Sequence, residues 1–484
     1  MNKKLLIGII VVLVLVTLVV VGVEYIKYSS GGGVVKTKRI DVTSTGVGEI
    51  KTINMQGHWK GEDLRENFVT ETVKEFETRN PNVEVNIKWN ADFPGGRKGC
   101  LDAATNEFKT GNINWDVIWL EPFYYQEIAR ELGQDWGQKY LVDFETVPGF
   151  NESQNSFILS DPQFRNHMNG IITGPYMEGF YHPFFYNKEL TDMMGIKIKD
   201  KDMTFEDLLG YFKAVDDYNK KQGTNIPILY DSGDYKGGIG YAPSTYNIFQ
   251  SLFRSEFPNL TDVKDIKPSE AKLAAVKKVL GSLEQLSKYK PLIPGWEDLP
   301  WFETRYYVLE NKAVFTVCGA SWMYSHWHGI DARKTMKMVP VEMPIYQPVN
   351  HYMGGYNPMF AVAKDSPVRD EAIALMMAFS TPNTAEKWIR YAKGPTGIKG
   401  SISQAGTTAE DTTQFDTFIT YITDKYGGNV FDSKTVDYVL GDKYKDLTVQ
   451  FAKHLGAVMD GRITADQAYN QILDDMKEAD NKQV

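Results

Sequence analysis

Apolar and polar residues follow two different periods between residues 49 and 120. Residues 49–59 (EIKTINMQGHW) are typical of a strand ending in a glycine-containing loop, and 83–89 (VEVNIKW) alternate as a half-buried strand does. Between them, three-to-four spacing predicts a helix that Pro81 ends. Residues 115–120 (WDVIWL) form a continuous apolar run, typical of a parallel strand covered on both faces. Strand, helix and strand in this order predict an α/β fold.

The same patterns continue through the rest of the chain. Capping boxes open two further predicted helices, because a hydroxyl and a carboxylate or amide three residues later can satisfy the first helical amides. The further predicted elements are helices opening at TFED (204–207), Thr381–Pro382 and TADQ (464–467), a helix over 271–290, and strands KAVFTV (312–317) and MFAVA (359–363).

The N-terminus predicts a membrane anchor. Lys3 and Lys4 precede nineteen uncharged residues that as a helix would span about 29 Å, close to the hydrocarbon thickness. We therefore expect a transmembrane helix within residues 1–23 with the remainder of the chain extracellular, by the positive-inside tendency. Cleavage of this segment as a signal peptide is the alternative. Residues 24–48 are small, polar and glycine-rich, which predicts a flexible tether.

Length and charge narrow the class of protein. A chain of 484 residues is too long for one ordinary core, so two or more domains are expected. The net charge of −9 comes without a long basic run and argues against nucleic-acid binding. An aromatic share of 13% favours a binding surface, because aromatic side chains offer stiff, amphipathic contact area.

Catalytic and metal motifs are largely missing from the sequence. It has no H-E-x-x-H, G-x-S-x-G or P-loop lysine motif. On a strand, His326 and His328 of HWH would face the same side and could bind metal, but no carboxylate or cysteine lies beside them, so we expect neither a metal nor a cofactor. Cys100 and Cys318 are expected as buried thiols, with a single disulfide as the alternative. A glycosidase-type carboxylate pair stays open.

Aromatic and acidic residues gather at the predicted ends of strands. Ligands of open α/β sheets bind at the carboxyl ends of strands, and sugars need flat apolar faces and hydroxyl acceptors. Each residue alone is more typical of a core than of a ligand contact, and it is the shared placement at strand ends that favours binding. The residues selected in this way are Trp59, Glu62, Trp119, Glu121, Tyr124, Tyr181, Trp322, Gly354, Gly355 and Tyr356.

Several segments, in order, resemble a known family. FVTETVKEFETRNPNVEVNIKW resembles the first helix and second strand of the type-1 extracellular solute-binding proteins of ABC importers, the group that includes maltose-binding protein. NWDVIWLEPFYYQEIARELG, PFFYNKEL, LENKAVFTVCGASW and MGGYNPMFAVAKDSP resemble later motifs of the family, over about residues 50–400. Ala320 and Ser321 depart from the usual Gly-Pro before Trp322.

The resemblance implies a two-lobe periplasmic-binding-protein fold with a hinge. Lobe one would comprise residues 49–181 plus 352–412, and lobe two residues 182–351 plus 413–484. It implies a non-enzymatic protein that captures an extracellular carbohydrate, an oligosaccharide in particular, between the lobes and delivers it to a membrane permease and its ATPase subunits. A peptide, a polyamine or another small polar solute is the alternative ligand.

The motif positions also imply roles for individual residues. Glu121, Trp322, Gly354 and Gly355 occupy ligand-site positions of the family. Stacking is expected from Trp59, Trp322, Tyr181 and Tyr356, and acceptance of hydroxyl groups from Glu62 and Glu121. In the aromatic stretch 176–186, Tyr181 is expected at the cleft or hinge, and the aromatic residues of PFFYNKEL in the core of lobe two.

Overall fold

The computed structural model describes residues 49–166, 168–233, 243–400, 413–431 and 436–482. The predicted membrane segment and tether, residues 1–48, lie outside these ranges. Residues Ile50–Val484 form one structural unit. In the described part of the chain, no helix combines the length and the apolar character needed to cross a membrane.

Eleven strands of the described residues form three sheets. Their bounds are β1 Lys51–Gly57, β2 Val83–Trp89, β3 Val117–Trp119, β4 Glu178–Tyr181, β5 Phe184–Asn187, β6 Leu229–Tyr230, β7 Phe315–Thr316, β8 Met338–Val341, β9 Tyr352–Asn357, β10 Phe360–Val362 and β11 Val430–Phe431.

The first sheet has the strand order β10-β3-β1-β2. Met55 of β1 pairs in parallel with Ile87 of β2 and with Val117 of β3, and β10 pairs antiparallel with β3. All three residues of β3 are buried, which confirms the predicted doubly covered strand. The parallel arrangement brings the carboxyl ends of β1, β2 and β3 to one edge of the sheet.

The second sheet has the order β6-β7-β5-β8. Its strand β5 is antiparallel to both neighbours, with Phe185 opposite Thr316 of β7 and Pro340 of β8. Phe184 and Phe185 are fully buried, as expected for the second half of the aromatic stretch.

A third, connecting sheet has the order β11-β9-β4. In its antiparallel pair, Phe180 faces Gly355 and Tyr181 faces Gly354. A Cβ on Gly354 would lie 2.4 Å from the carbonyl oxygen of Phe180, so glycine lets the two strands pack this closely. Because β4 runs on into β5 of the second sheet after only two residues, the connecting sheet is where the chain passes between the other two.

Helices cover the sheets. Their bounds are α1 Asp63–Arg79, α2 Gly96–Thr110, α3 Pro122–Leu132, α4 Trp136–Tyr140, α5 Phe150–Ser153, α6 Ser156–Ser160, α7 Pro162–Asn166, α8 Lys188–Met194, α9 Phe205–Gln222, α10 Ser244–Arg254, α11 Leu260–Lys264, α12 Glu270–Ser287, α13 Thr304–Leu309, α14 Met323–Thr335, α15 Arg369–Ala378, α16 Pro382–Ala392, α17 Gln414–Tyr426, α18 Asp437–Leu440, α19 Thr448–Met459 and α20 Ala465–Lys482. Short 3₁₀ helices cover Asn90–Asp92, Phe144–Thr146, Trp296–Asp298, Trp301–Glu303 and Asp442–Leu447.

The predicted helix starts are confirmed by their hydrogen bonds. Thr204 and Asp207 form a reciprocal capping box at α9, and Thr381 caps α16 with a proline following it. At α20, the amide of Gln467 donates to Thr464 Oγ1 and the amide of Thr464 donates to the Gln467 side chain. Each cap satisfies amides that the first helical turn leaves without partners.

Candidate functional site

The turn between β1 and α1 places aromatic and acidic side chains at the carboxyl edge of the first sheet. Trp59 and Asp63 both have positive φ, of 73° and 27°, which the surrounding structure must hold for non-glycine residues. Trp59 is 1% exposed, and its ring packs 5.2 Å from that of Trp388. Glu62 lies at the N-terminus of α1 and is 7% exposed.

Arg65, in the first turn of α1, occupies the centre of the site and is 4% exposed. Its Nη2 forms a close ion pair with Glu62 Oε2, and its Nη1 lies 3.5 Å from Glu178 Oε1 of β4. Its guanidinium carbon is 5.5 Å from the ring centre of Trp59 and 5.3 Å from that of Trp322. Arg65 therefore links the first sheet, the connecting sheet and the segment before α14.

Helix α14 brings a second set of side chains to Arg65. His326 Nε2 lies 3.4 Å from Glu62 Oε2 and 3.4 Å from Arg65 Nη2, while Ser325 Oγ donates to the Glu62 carbonyl oxygen at 2.9 Å. The ring of Trp322 contacts that of His326 at 5.4 Å. We call Trp59, Glu62, Arg65, Glu178, Trp322 and His326 the Arg65 cluster.

A group of aromatic side chains at the end of β3 adjoins this cluster. The His58 ring stacks on Trp119 at 4.7 Å and lies 5.0 Å from the ring of Trp59, while Tyr124 packs 4.5 Å from Trp119. Glu121 Oε1 is 3.8 Å from His58 Nε2. The structure thus brings five of the sequence-selected residues together around Arg65 and His58, and Trp322 joins them from the other side.

Positive charge and burial keep both histidines neutral. Burial lowers the pKa of His58 well below its ordinary value, and the charges of Arg97 and Arg65 lower it further. The pKa of His326 is likewise well below the ordinary value, through burial first and then through Arg65 and Arg305. Arg97 Nη2 also lies 3.4 Å from Glu62 Oε1, so carboxylates and guanidinium groups alternate through the site.

The other four selected residues lie in the connecting sheet. Tyr181 is fully buried, and its hydroxyl lies 3.3 Å from that of Tyr356 and 3.1 Å from Thr423 Oγ1. Gly354 and Gly355 face β4 rather than an open surface. These four residues lie in β4 and β9, the paired strands of the connecting sheet.

Sequence reasoning did not select His58, Arg65, Arg305 or His326 for this site. A signal for Arg65 was present, because it shares a helix face with Phe68 and Val69, where a charged residue needs a buried partner. The HWH motif lies in α14 rather than in a strand, so its histidines diverge: His328 Nδ1 is 2.8 Å from Asp63 Oδ2, apart from the contacts of His326.

Metal and thiol chemistry receive no support from the described residues. Among them, no group of three or more histidine, cysteine or acidic side chains is arranged to hold a metal ion. Cys100 and Cys318 are both buried and unbridged. Burial raises the pKa of each thiol to about 12, which suppresses the reactive thiolate.

Solved structures share this architecture across nearly the whole chain. The GacH receptor of Streptomyces glaucescens, solved unliganded and with acarbose, has a TM-score of 0.60 at 16% identity, covering 89% of this chain and 98% of its own. A chitin oligosaccharide binding protein has a TM-score of 0.60 at 16% identity, covering 90% and 99%. An ABC substrate-binding protein from Listeria monocytogenes, solved with cycloalternan, has 0.57 at 15%, covering 90% and 99%.

The sequence itself gives no such match: no protein-family model and no curated protein matches it. The structural likeness confirms the predicted two-lobe periplasmic-binding-protein fold. The three solved proteins are described as binding proteins or receptors.

Proposed function

We propose that the chain is the substrate-binding protein of an ABC importer and captures an extracellular oligosaccharide between two α/β lobes. The observation that carries this proposal is the Arg65 cluster. It combines two buried tryptophans with two carboxylates that pair with one guanidinium group, at the carboxyl edge of the first sheet. Sugars need this combination of flat apolar faces and charged hydrogen-bonding groups.

Unused donors at the site add to the proposal. Arg65 Nε and Trp119 Nε1 are buried and have no hydrogen-bond acceptor among the described residues. A buried donor without a partner costs free energy, and a ligand hydroxyl or ring oxygen would remove that cost. In this role Trp59 and Trp322 stack on sugar rings while Glu62 and Glu121 accept from hydroxyl groups.

The lobes follow the sheets in this proposal. Lobe one, residues 49–181 plus 352–412, contains the first sheet, and lobe two, residues 182–351 plus 413–484, contains the second. The connecting sheet acts as the hinge, with Tyr181, Tyr356, Gly354 and Gly355 as hinge residues. Closure by hinge motion excludes water and completes ligand contacts from both lobes.

The membrane context follows from the N-terminal sequence. In this proposal the apolar segment within residues 1–23 anchors the chain, and residues 24–48 tether the extracellular lobes near the permease and its ATPase subunits. A tether raises the effective concentration of the lobes at the permease without any new contact.

Charge distinguishes this proposal from two alternatives. A polyamine or another cationic ligand would need an acidic cleft, whereas Arg65, Arg97 and Arg305 all adjoin the site. A glycosidase needs two carboxyl groups free to act on the scissile bond, whereas Glu62 and Glu178 both pair with Arg65.

Calorimetry with a panel of malto-, xylo- and chito-oligosaccharides tests the proposal. We expect at least one series to bind the wild type and Trp322→Ala to weaken that binding at least tenfold, since a central aromatic contact is lost. Trp115→Ala is the matched control, because Trp115 lies half-buried just before β3, at the opposite end of the strand from Trp119.

The outcome against the proposal is equally clear. If no sugar of the panel releases heat or raises the melting temperature of the wild type, the carbohydrate assignment fails. Hydrolysis of any bound oligosaccharide would instead identify a glycosidase.

A further inference from the structure

Residues 301–307 (WFETRYY) form an aromatic surface segment that the proposed contacts do not use. Phe302 is 43% exposed and Tyr306 is 48% exposed, which is high for large aromatic side chains. They are four residues apart in a helical stretch made of the 3₁₀ turn Trp301–Glu303 and α13, so they are neighbours on its surface.

This segment is continuous with the Arg65 cluster. The ring of Trp301 meets that of Trp322 edge-on at 6.1 Å, and the ring of Phe302 lies 6.2 Å from that of Trp301. Arg305 places its guanidinium 5.0 Å from the Trp301 ring centre and its Nη2 3.4 Å from His326 Nε2. Aromatic rings therefore follow one another from the buried Trp322 out to the exposed Phe302.

Hydrogen bonds fix the segment to the end of the second sheet. Tyr230 of β6 donates its hydroxyl to the Pro300 carbonyl oxygen at 2.7 Å, and Ser232 Oγ donates to that of Leu299 at 2.8 Å. Thr304 Oγ1 lies 2.9 Å from Thr316 Oγ1 of β7. The backbone that carries the exposed rings is thus attached to the second sheet before any ligand arrives, which lowers the entropy cost of binding.

We propose that Trp301, Phe302 and Tyr306 form an outer subsite that stacks the units of an oligosaccharide extending beyond the Arg65 cluster. This inference rests on the proposed function and adds a preference for chain length. Trp301 and Phe302 extend the row of aromatic rings that begins at the buried Trp322, so an oligosaccharide bound at the Arg65 cluster would reach them. Sugar C–H faces match the faces of exposed aromatic rings.

The test measures affinity against length, from disaccharide to hexasaccharide, in whichever series binds the wild type. The variant is the double substitution Phe302→Ala with Tyr306→Ala. We expect wild-type affinity to rise with length, and the variant to lose roughly three- to tenfold with the hexasaccharide while binding the disaccharide as the wild type does. Met193→Ala, at a methionine of α8 that is 51% exposed, is the control and should change neither value.

Three results would overturn the inference. In the first, the variant binds every length as tightly as the wild type does, although the wild type binds sugar. In the second, it weakens every length equally, which indicates a change at the Arg65 cluster. In the third, it binds normally but no longer stimulates transport, which assigns the segment to the permease. A wild type that binds no sugar defeats the proposed function itself.

Discussion

Replacement of Arg65 by methionine removes a buried guanidinium while keeping a long, unbranched side chain in α1. Glu62 and Glu178, each 7% exposed, then lose their shared cation. Breaking a buried ion pair costs about 3–5 kcal/mol, because the remaining charge stays desolvated. Arg97 still lies 3.4 Å from Glu62, and Asn357 Nδ2 still donates to Glu178 at 3.0 Å. We therefore expect a loss near the lower end, about 3 kcal/mol in the free energy of unfolding.

Urea denaturation followed by tryptophan fluorescence measures this loss. The second variant, Arg65→Met with Glu178→Gln, removes one of the two orphaned charges and keeps the bond from Asn357. We expect it to recover about 1–2 kcal/mol relative to the single variant, as a coupled pair should. Arg65→Lys, which keeps the charge but not the planar fork, should fall between the wild type and Arg65→Met.

A free energy of unfolding for Arg65→Met within about 0.5 kcal/mol of the wild-type value, a difference typical of surface substitutions, would contradict this expectation. A double variant that loses the full sum of the two separate costs, of Arg65→Met and of Glu178→Gln, would also contradict it. Additivity would mean that the two side chains do not interact, in spite of the 3.5 Å between Nη1 and Oε1.

Three further outcomes follow from the fold and the site. Gly354→Ala places a Cβ 2.4 Å from a β4 carbonyl oxygen, so we expect about 1–3 kcal/mol of destabilisation by denaturation. Gly281→Ala in α12, where a Cβ meets nothing within 4 Å, should instead stabilise by about 0.5–1 kcal/mol; equal effects would contradict the close packing of the connecting sheet. Cys100 and Cys318 should react with a thiol reagent only after unfolding, and two thiols should then be titrated without any reductant; fewer would indicate a disulfide. Because the pKa of His326 is lower in the folded than in the unfolded chain, the unfolded chain takes up protons first as the pH falls. The free energy of unfolding should therefore fall between about pH 7 and pH 5, and His326→Gln should make this fall smaller. A fall of the same size in the variant would show that His326 does not have the lowered pKa.

Local signals predicted much of the fold. The alternation of residues 83–89 predicted β2 with both of its ends, and the spacing after residue 63 predicted α1. These elements are readable because their polar and apolar faces are segregated along one short segment. Strand KAVFTV was expected over six residues, but only Phe315 and Thr316 pair, because strand length depends on distant neighbours that the local sequence does not specify.

The sequence indicated the aromatic side chains of the candidate site but not its buried arginine. The structure brings Trp59, Trp119 and Tyr124, which were selected from their positions at strand ends, into one group of aromatic rings with His58. Arg65 was missed because an arginine in an amphipathic helix is usually solvated, and its carboxylate partner Glu178 lies far along the chain. Tyr181 was expected at the cleft or hinge, and its buried hydroxyl contacts place it in the connecting sheet.

The edge strand β10 has a consequence for how the chain acquires its structure. Phe360 of β10 pairs with Trp119 of β3, and all four strands of the second sheet are encoded between them. Pairing at such sequence separation is slow to form, because a large loop must close before the contact is gained. A nascent chain that ends before residue 360 lacks the strand that completes the first sheet. Synthesis order thus delays completion of the first sheet until most of the polypeptide is present.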